Sequence, residues 1–371
     1  MARRRQLALC FASAALTLAV CDLGLTLTGV VPTIAARRAA SLEYRSAGCT
    51  KHRLVPKTFS AAGRNDLAIN SRGYLGPEIT VPKPAGTTRI VFLGGSQVFG
   101  VYWAGGEDWP TTVGEILNRD GLSVDIVNAG VPNHQTPDCL GKLVTDLWLL
   151  EPDVVVVCNA WNDIKYFADL TAEHPYNDVV PLHKGEDPRM RPRGIDWLLC
   201  FSSLYRIGHD GLITTLKGVG DEGEKLREPV GKVTEAAIGQ YRLTLQTLCD
   251  AGKNIGATVV LCKQARLPVA DSPQEVRRRI PYDYTGLPHD ELVRAFAECD
   301  RVIDQVAAVK HCPVIDLSGP LSGDTAVFAD HIHFSRQGSR RAAQLVARQL
   351  EAIIRASREA PRDNSLEKPE M

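Results

Sequence analysis

The sequence predicts an α/β fold, a three-layer α/β/α sandwich around a five-stranded parallel sheet. Two observations carry this. Five short apolar, β-branched runs read as buried strands: Arg89–Leu93, Val124–Val127, Val154–Val157, Thr258–Leu261 and Val314–Leu317. Between and after them lie stretches with helical spacing of apolar residues, at 109–119, Pro137–Leu150, 236–252, 290–309 and 336–356. Strands that alternate with amphipathic helices pair in parallel through right-handed crossovers. No internal repeat or low-complexity tract competes with that rhythm.

Composition agrees with a globular chain. The 371 residues are 44% hydrophobic and 23% charged, with 43 Lys+Arg against 43 Asp+Glu. Disorder would need low hydrophobicity and a large net charge. A nucleic-acid partner would leave a basic footprint that this balanced chain lacks. None of the ten cysteines forms a C-x-x-C pair, so a zinc site of the usual spacing is not expected. Cys158 and Cys262 fall inside apolar strands, where a thiol packs as a small hydrophobe.

The first 38 residues read as a signal anchor or a signal peptide. Arg3-Arg4-Arg5 precedes an apolar stretch from Leu7 to Val31 with one charge, Asp22. At 1.5 Å per residue that stretch is roughly 37 Å long, enough for a hydrocarbon core of roughly 30 Å. Asp22 opposes insertion by about 2.5–3.5 kcal/mol if it lies near the centre. Thr33-Ile34-Ala35 offers a small-x-small cleavage site. A lipoprotein signal ending at Cys21 fits poorly because bulky Val20 precedes it. The expected topology puts the N-terminus inside and the body outside the cytoplasm, or secretes the body if the signal is cleaved.

Residues 39–85 form a turn-rich lead-in, 86–356 the main domain, and 357–371 a polar tail. Residues 165–235 interrupt the strand–helix rhythm and read as a partly helical insertion over one end of the sheet. They carry the aromatic cluster Trp197, Phe201 and Tyr205. Trp103, Trp161 and Trp197 are candidates for stacking on sugars, with core packing the more ordinary alternative.

In open α/β sheets, ligands bind beyond the carboxyl ends of the strands. The segments at those ends are Gly94-Gly95-Ser96-Gln97, Asn128-Ala129-Gly130, Asn159-Ala160-Trp161-Asn162-Asp163, and Asp330-His331-Ile332-His333 ahead of the final helix. A serine on a tight turn at a helix start is an exposed nucleophile when a base and an orienting group stand beside it. Asp330 and His333, three residues apart, can meet across one turn. The Asn162 amide and a backbone N–H near Gly130 suit an oxyanion, each such donor being worth about 2.7–4 kcal/mol of barrier. Singly, each feature has a plainer reading: a simple turn, a helix cap, a satisfied histidine. A phosphate loop is disfavoured because the G-x-G-x-x-G spacing and the P-loop lysine are both absent.

These segments together resemble the SGNH (GDSL-type) hydrolases. Val91–Gly100 matches the family's first block, Val127–Gly130 the second, Ala160–Asp163 the third and Asp330–His333 the fifth. The lead-in Asn70–Glu78 is similar to the segment before the first block in membrane-anchored bacterial members. The resemblance implies a flavodoxin-like sandwich with no metal or organic cofactor. It implies Ser96 as nucleophile, His333 as general base, Asp330 as its orienting partner, and Ser96 N–H, Gly130 N–H and Asn162 as the oxyanion hole. Three positions depart from the pattern: Gly95 for the usual Asp, Gln97 for the usual Leu, and Ala160 for a frequent Gly.

The expected activity is therefore serine-dependent hydrolysis of O-acyl esters, such as acetyl groups, on a small molecule or glycan. Acyl transfer to a sugar is a close alternative. A non-catalytic carbohydrate-binding or assembly protein on the same fold is the alternative from another class, motivated by Gly95 and the insertion.

Overall fold

A computed structural model describes residues 2–39, 42–45, 47–59, 67–102, 107–168, 194–224 and 229–359. These fall into two compact units, one built from the N-terminal helix and residues 194–224, the other carrying the sheet. The polar tail from 360 and part of the expected insertion, 169–193 and 225–228, lie outside the described residues, as does Trp103.

The sheet-bearing unit holds five parallel strands: β1 (Thr88–Gly94), β2 (Val124–Asn128), β3 (Val154–Cys158), β4 (Thr258–Lys263) and β5 (Val314–Asp316), in the spatial order β2-β1-β3-β4-β5. That is the doubly wound order, which places a switch point between β1 and β3. Register is continuous, with Ile90 opposite Val154, Val154 opposite Thr258 and Leu261 opposite Val314. Ile90, Val91, Phe92 and Leu93 are fully buried, as are Val155 and Val156. Such runs are apolar on both faces because helices cover both. Cys158 and Cys262 sit in register at the strand ends, wholly buried.

Helices α2 (Trp109–Arg119) and α7 (Arg336–Glu359) pack together as one layer; α3 (Thr136–Thr145), α5 (Glu235–Asn254) and α6 (His289–Lys310) form the other. Their starts are capped as the sequence allows: Asp108 Oδ1 accepts the Thr111 N–H at 3.0 Å, and Thr234 Oγ1 accepts that of Ala237.

Two expected elements end early. The helix expected over 137–150 stops at Thr145, and Leu147–Leu150 is a 3₁₀ turn. Asp146 leaves helical geometry at φ −136°, and its carboxylate accepts the Tyr74 hydroxyl from the lead-in. The last strand ends at Asp316 rather than Leu317, because Asp316 Oδ1 accepts the Gly319 N–H at 2.9 Å and turns the chain into Ser318–Leu321.

The lead-in is more ordered than its composition suggests. Asn70 Oδ1 accepts the N–H groups of Arg72 and Tyr74, and Leu75 then bridges antiparallel to Asn128 at the end of β2. Tyr44–Arg45 pairs antiparallel with Arg53–Leu54.

The other unit contains α1 (Ala2–Thr28), a short helix Asp196–Leu199 carrying Trp197, and α4 (Ser203–Glu224). Residues Arg3–Thr28 are long and apolar enough to cross a membrane, a property shared by signal anchors and signal peptides.

One buried cation in β1 is tied entirely to its surroundings. The Arg89 guanidinium, wholly buried, bonds Asp125 Oδ2 at 2.8 Å, the Leu150 carbonyl at 2.5 Å and the Thr80 carbonyl at 2.7 Å. Arg89→Leu leaves those carbonyls unsatisfied and is expected to cost about 2–3 kcal/mol, read as a lower urea midpoint.

Candidate active site

The carboxyl ends of β1, β2 and β3 and the loop before α7 converge on one spot. β1 runs into Gly94-Gly95, and Ser96 opens the short helix Ser96–Phe99. Ser96 is partly exposed while Gln97, Val98 and Phe99 are buried, so the serine faces outward from an anchored turn.

The three residues expected to act together are together. His333 Nε2 lies 2.7 Å from Ser96 Oγ, and His333 Nδ1 lies 2.7 Å from Asp330 Oδ2. With Nδ1–H donating to the carboxylate, Nε2 is left as the acceptor that faces the serine hydroxyl. Asp330 is itself held: its Oδ1 accepts the N–H groups of Ile332 at 2.9 Å and His333 at 2.8 Å. Burial pushes the Asp330 carboxyl up, but the hydrogen bonds and the charge of His333 outweigh it and hold the group well below the usual carboxylate range.

His331 takes no part in this relay. Its ring packs on Trp161, with centroids 4.4 Å apart, and burial brings its pKa down to about 4. Of the two histidines, only His333 reaches the serine.

Beside Gly95 stands Asn162, in the short helix Trp161–Ile164 at the end of β3. Its Nδ2 donates to the His134 carbonyl at 2.8 Å, and its Oδ1 accepts the Tyr284 hydroxyl. An amide nitrogen carries two hydrogens, so one remains for a ligand. Gly95 is explained here: a Cβ at that position would stand 2.4 Å from Asn162 Nδ2. The residue that departs from the family pattern makes room for the amide beside the serine.

Gly130 differs from the expectation. Its N–H already donates to Asn128 Oδ1 at 3.1 Å, and a Cβ there would stand 2.4 Å from the Phe99 backbone nitrogen. Gly130 lets the second segment pack against the serine helix; its N–H is engaged rather than offered. Ser96 N–H, at the first position of its helix, has no intrahelical acceptor.

Several framing residues had only a faint signal in the sequence. Gln97, 3% exposed, donates from Nε2 to the carbonyls of Ala265 at 3.0 Å and Ile332 at 2.6 Å. The Gln97 backbone carbonyl accepts the Trp109 indole N–H. Asn128 Nδ2 donates to Val98 O and Asp108 Oδ1. Asp163 accepts both the N–H and the hydroxyl of Thr136, and burial raises its pKa to about 7. The Tyr102 hydroxyl donates to Asp330 Oδ2 at 3.1 Å, and its ring stands edge-on to His333. A recess beside the serine is lined by Ser96, Val101, Tyr102, Trp109, His333 and Phe334. Of the three tryptophans considered for stacking on sugars, Trp161 is buried, packed between Tyr284 and Phe296.

The depressed His331 pKa has a consequence for stability. The unfolded imidazole takes up its proton near pH 6.5 and the folded one only near pH 4. Its contribution is therefore complete above about pH 6.5 and is lost as pH falls toward about 4. Urea unfolding across that window is expected to show a smaller loss of stability for His331→Asn than for the wild type.

Residues 92–341, two thirds of the chain, match the GDSL-like Lipase/Acylhydrolase family. No curated protein matches the sequence. Among solved structures, a lipase/acylhydrolase from Enterococcus faecalis is 20% identical, covering 72% of this chain and 96% of that one at a TM-score of 0.42. The acetyl xylan esterase AlAXEase is 15% identical, covering 72% and 99% at 0.41. A catalytic mutant of an acetylxylan esterase from Geobacillus stearothermophilus is 15% identical, covering 72% and 94% at 0.42. By the extent of that match, this chain belongs to the GDSL-like lipase/acylhydrolase family.

Proposed function

We propose that the protein is a serine hydrolase that removes O-acyl groups, acetyl among them, from a small molecule or glycan through an acyl-enzyme. The observation that carries this reading is the unbroken relay Ser96–His333–Asp330, with both hydrogen bonds at 2.7 Å. Family membership supports hydrolysis of acyl esters in general.

His333 Nε2 takes the Ser96 proton as Oγ attacks the acyl carbon. The carbonyl oxygen becomes an oxyanion, held by Ser96 N–H and the remaining Asn162 amide hydrogen. His333 then gives its proton to the departing alcohol oxygen and the carbonyl re-forms as an ester of Ser96. Water, deprotonated by the same nitrogen, releases the acid and restores the hydroxyl. Asp330 stays ionised throughout and favours the imidazolium. The donors around the serine are neutral, which suits an uncharged ester.

The same assembled relay speaks against a non-catalytic role, since a binding protein has no need of a histidine aligned on a serine. Transfer of the acyl group to a sugar hydroxyl uses the identical first half-reaction.

With p-nitrophenyl acetate and the full chain, Ser96→Ala and His333→Ala are each expected to lower kcat by about 10³-fold or more. His331→Ala is expected to retain activity. A fluorophosphonate should label Ser96 in the wild type; absence of labelling, or full activity in Ser96→Ala, overturns the nucleophile.

α1 supports a further part of the proposal: it anchors the chain, with the sheet-bearing unit outside the cytoplasm. External protease on intact cells is expected to digest that unit, and a protected unit would overturn the orientation.

A further inference from the structure

The unit that contains α1 has its polar and apolar groups arranged inside out. Asp22 is the one acid in the apolar stretch of α1, and its carboxylate is engaged through Oδ1. Oδ1 accepts the Leu204 N–H at 2.8 Å and the Ser202 hydroxyl at 3.0 Å, at the start of α4. That is where backbone donors lack intrahelical partners and the helix dipole favours an anion. One turn further along α1, the Thr26 and Ser203 hydroxyls lie 2.8 Å apart. Arg206, buried, closes the turn: its guanidinium donates to the carbonyls of Cys200 and Phe201, to Ser203 Oγ and to the Val31 carbonyl.

The polar groups of 202–206 thus face inward, and the apolar side chains around them face out. Ile195 and Phe201 are each 71% exposed and Leu198 is 61% exposed, with Ile207 beyond them. Among the described residues, fourteen of the twenty exposed large hydrophobic side chains lie in residues 9–30 and 195–212. A patch that concentrated is a contact surface rather than ordinary scatter.

Depth selects the partner. α1 spans 27 residues, about 40 Å, and Asp22 lies six residues before its end, about 9 Å from it. With a hydrocarbon core of roughly 30 Å that begins at Leu7, beyond the arginines, Asp22 falls about 8 Å inside the core's far edge and Thr26 about 2 Å inside it. The turn fastened to it then lies at the boundary between acyl chains and headgroups. There an apolar outer surface is solvated by lipid, and polar groups must be satisfied internally. The first condition holds for 195–207, and the hydroxyls of Ser202 and Ser203, the Leu204 N–H and both terminal guanidinium nitrogens of Arg206 meet the second, Arg206 Nε being the one buried side-chain atom there without a partner.

We propose that residues 195–207 are a second membrane contact, seated in the interfacial layer of the bilayer that α1 crosses. The inference rests on the reading of α1 as membrane-inserted. On this account Asp22 is the fastening between the two contacts, and its charge at that depth is offset by the helix start it caps.

The test is photo-crosslinking of the full chain in phosphatidylcholine–phosphatidylglycerol vesicles. p-Benzoylphenylalanine is placed singly at Leu198, Phe201, Leu16 of α1 and Leu243, an exposed residue of α5, and adducts are read by mass spectrometry. Lipid adducts are expected at Leu198 and Phe201 in yields comparable to Leu16, with none at Leu243. Adducts at Leu16 without any at Leu198 and Phe201, or crosslinks from these two to a second copy of the chain, overturn the inference while leaving α1 in the membrane. Absence of lipid adducts at Leu16 as well overturns the membrane reading and the inference with it.

Discussion

The site depends on one buried carboxamide. Gln97 follows the serine directly, and its Nε2 reaches Ile332 O, 235 residues away in sequence, between the aspartate and the histidine of the relay. The same nitrogen holds the Ala265 carbonyl just beyond β4. A relay of two 2.7 Å hydrogen bonds needs its donors and acceptors fixed to a fraction of an ångström. The serine sits on one short helix and the histidine on a separate loop; without a tether, their separation would follow every fluctuation of either. A leucine at 97 would fill the space but leave two buried carbonyls unpaired, each at a cost of about 1–3 kcal/mol. The departure from the family pattern at this position therefore uses a polar side chain for alignment where the usual residue packs.

A second set of contacts steadies the oxyanion side. The His134 carbonyl accepts both Asn159 Nδ2 and Asn162 Nδ2, so the position of residue 134 sets that of the candidate oxyanion amide. Residue 134 is in turn gripped by the lead-in: His134 Nε2 donates to the His52 carbonyl at 2.8 Å, and His52 Nε2 donates to Pro132 O at 3.1 Å. Burial lowers the pKa of both histidines, which keeps them as neutral donors. Gly141 lies against the Cys49 carbonyl in the same contact. The segment that composition alone describes as irregular thus reaches the chemistry in two steps.

These contacts explain what could be read from the sequence and what could not. The five strands were legible because burial on both faces leaves a plain apolar run, as at Val154–Val157, and the relay because its serine follows a strand end while its aspartate and histidine stand three residues apart ahead of the last helix. The break at Asp146 was not legible, since its cause is Tyr74, far away in the chain. Nor was the engagement of the Gly130 N–H: Asn128 turns back on it by a local hydrogen bond that spacing cannot distinguish from an open amide. At Gly95 the sequence shows a missing carboxylate, and only the fold shows that Asn162 occupies the space a side chain would need.

Asp22, Gly95 and Gln97 share a property. Each breaks a local rule: a charge in an apolar helix, a missing carboxylate, an amide where a leucine is usual. Each is satisfied by a partner distant in sequence, Leu204, Asn162 and Ile332 respectively. A local violation without such a partner would be a plain cost, because a buried polar group or an ill-filled turn has nothing to offset it. With the partner present, the violation becomes a constraint that only one arrangement of the chain satisfies. In the sheet-bearing unit that constraint aligns a serine with a histidine and an amide. In the N-terminal unit it fastens a turn to a helix. The residues least predictable from their neighbours are therefore those that fix geometry over distance.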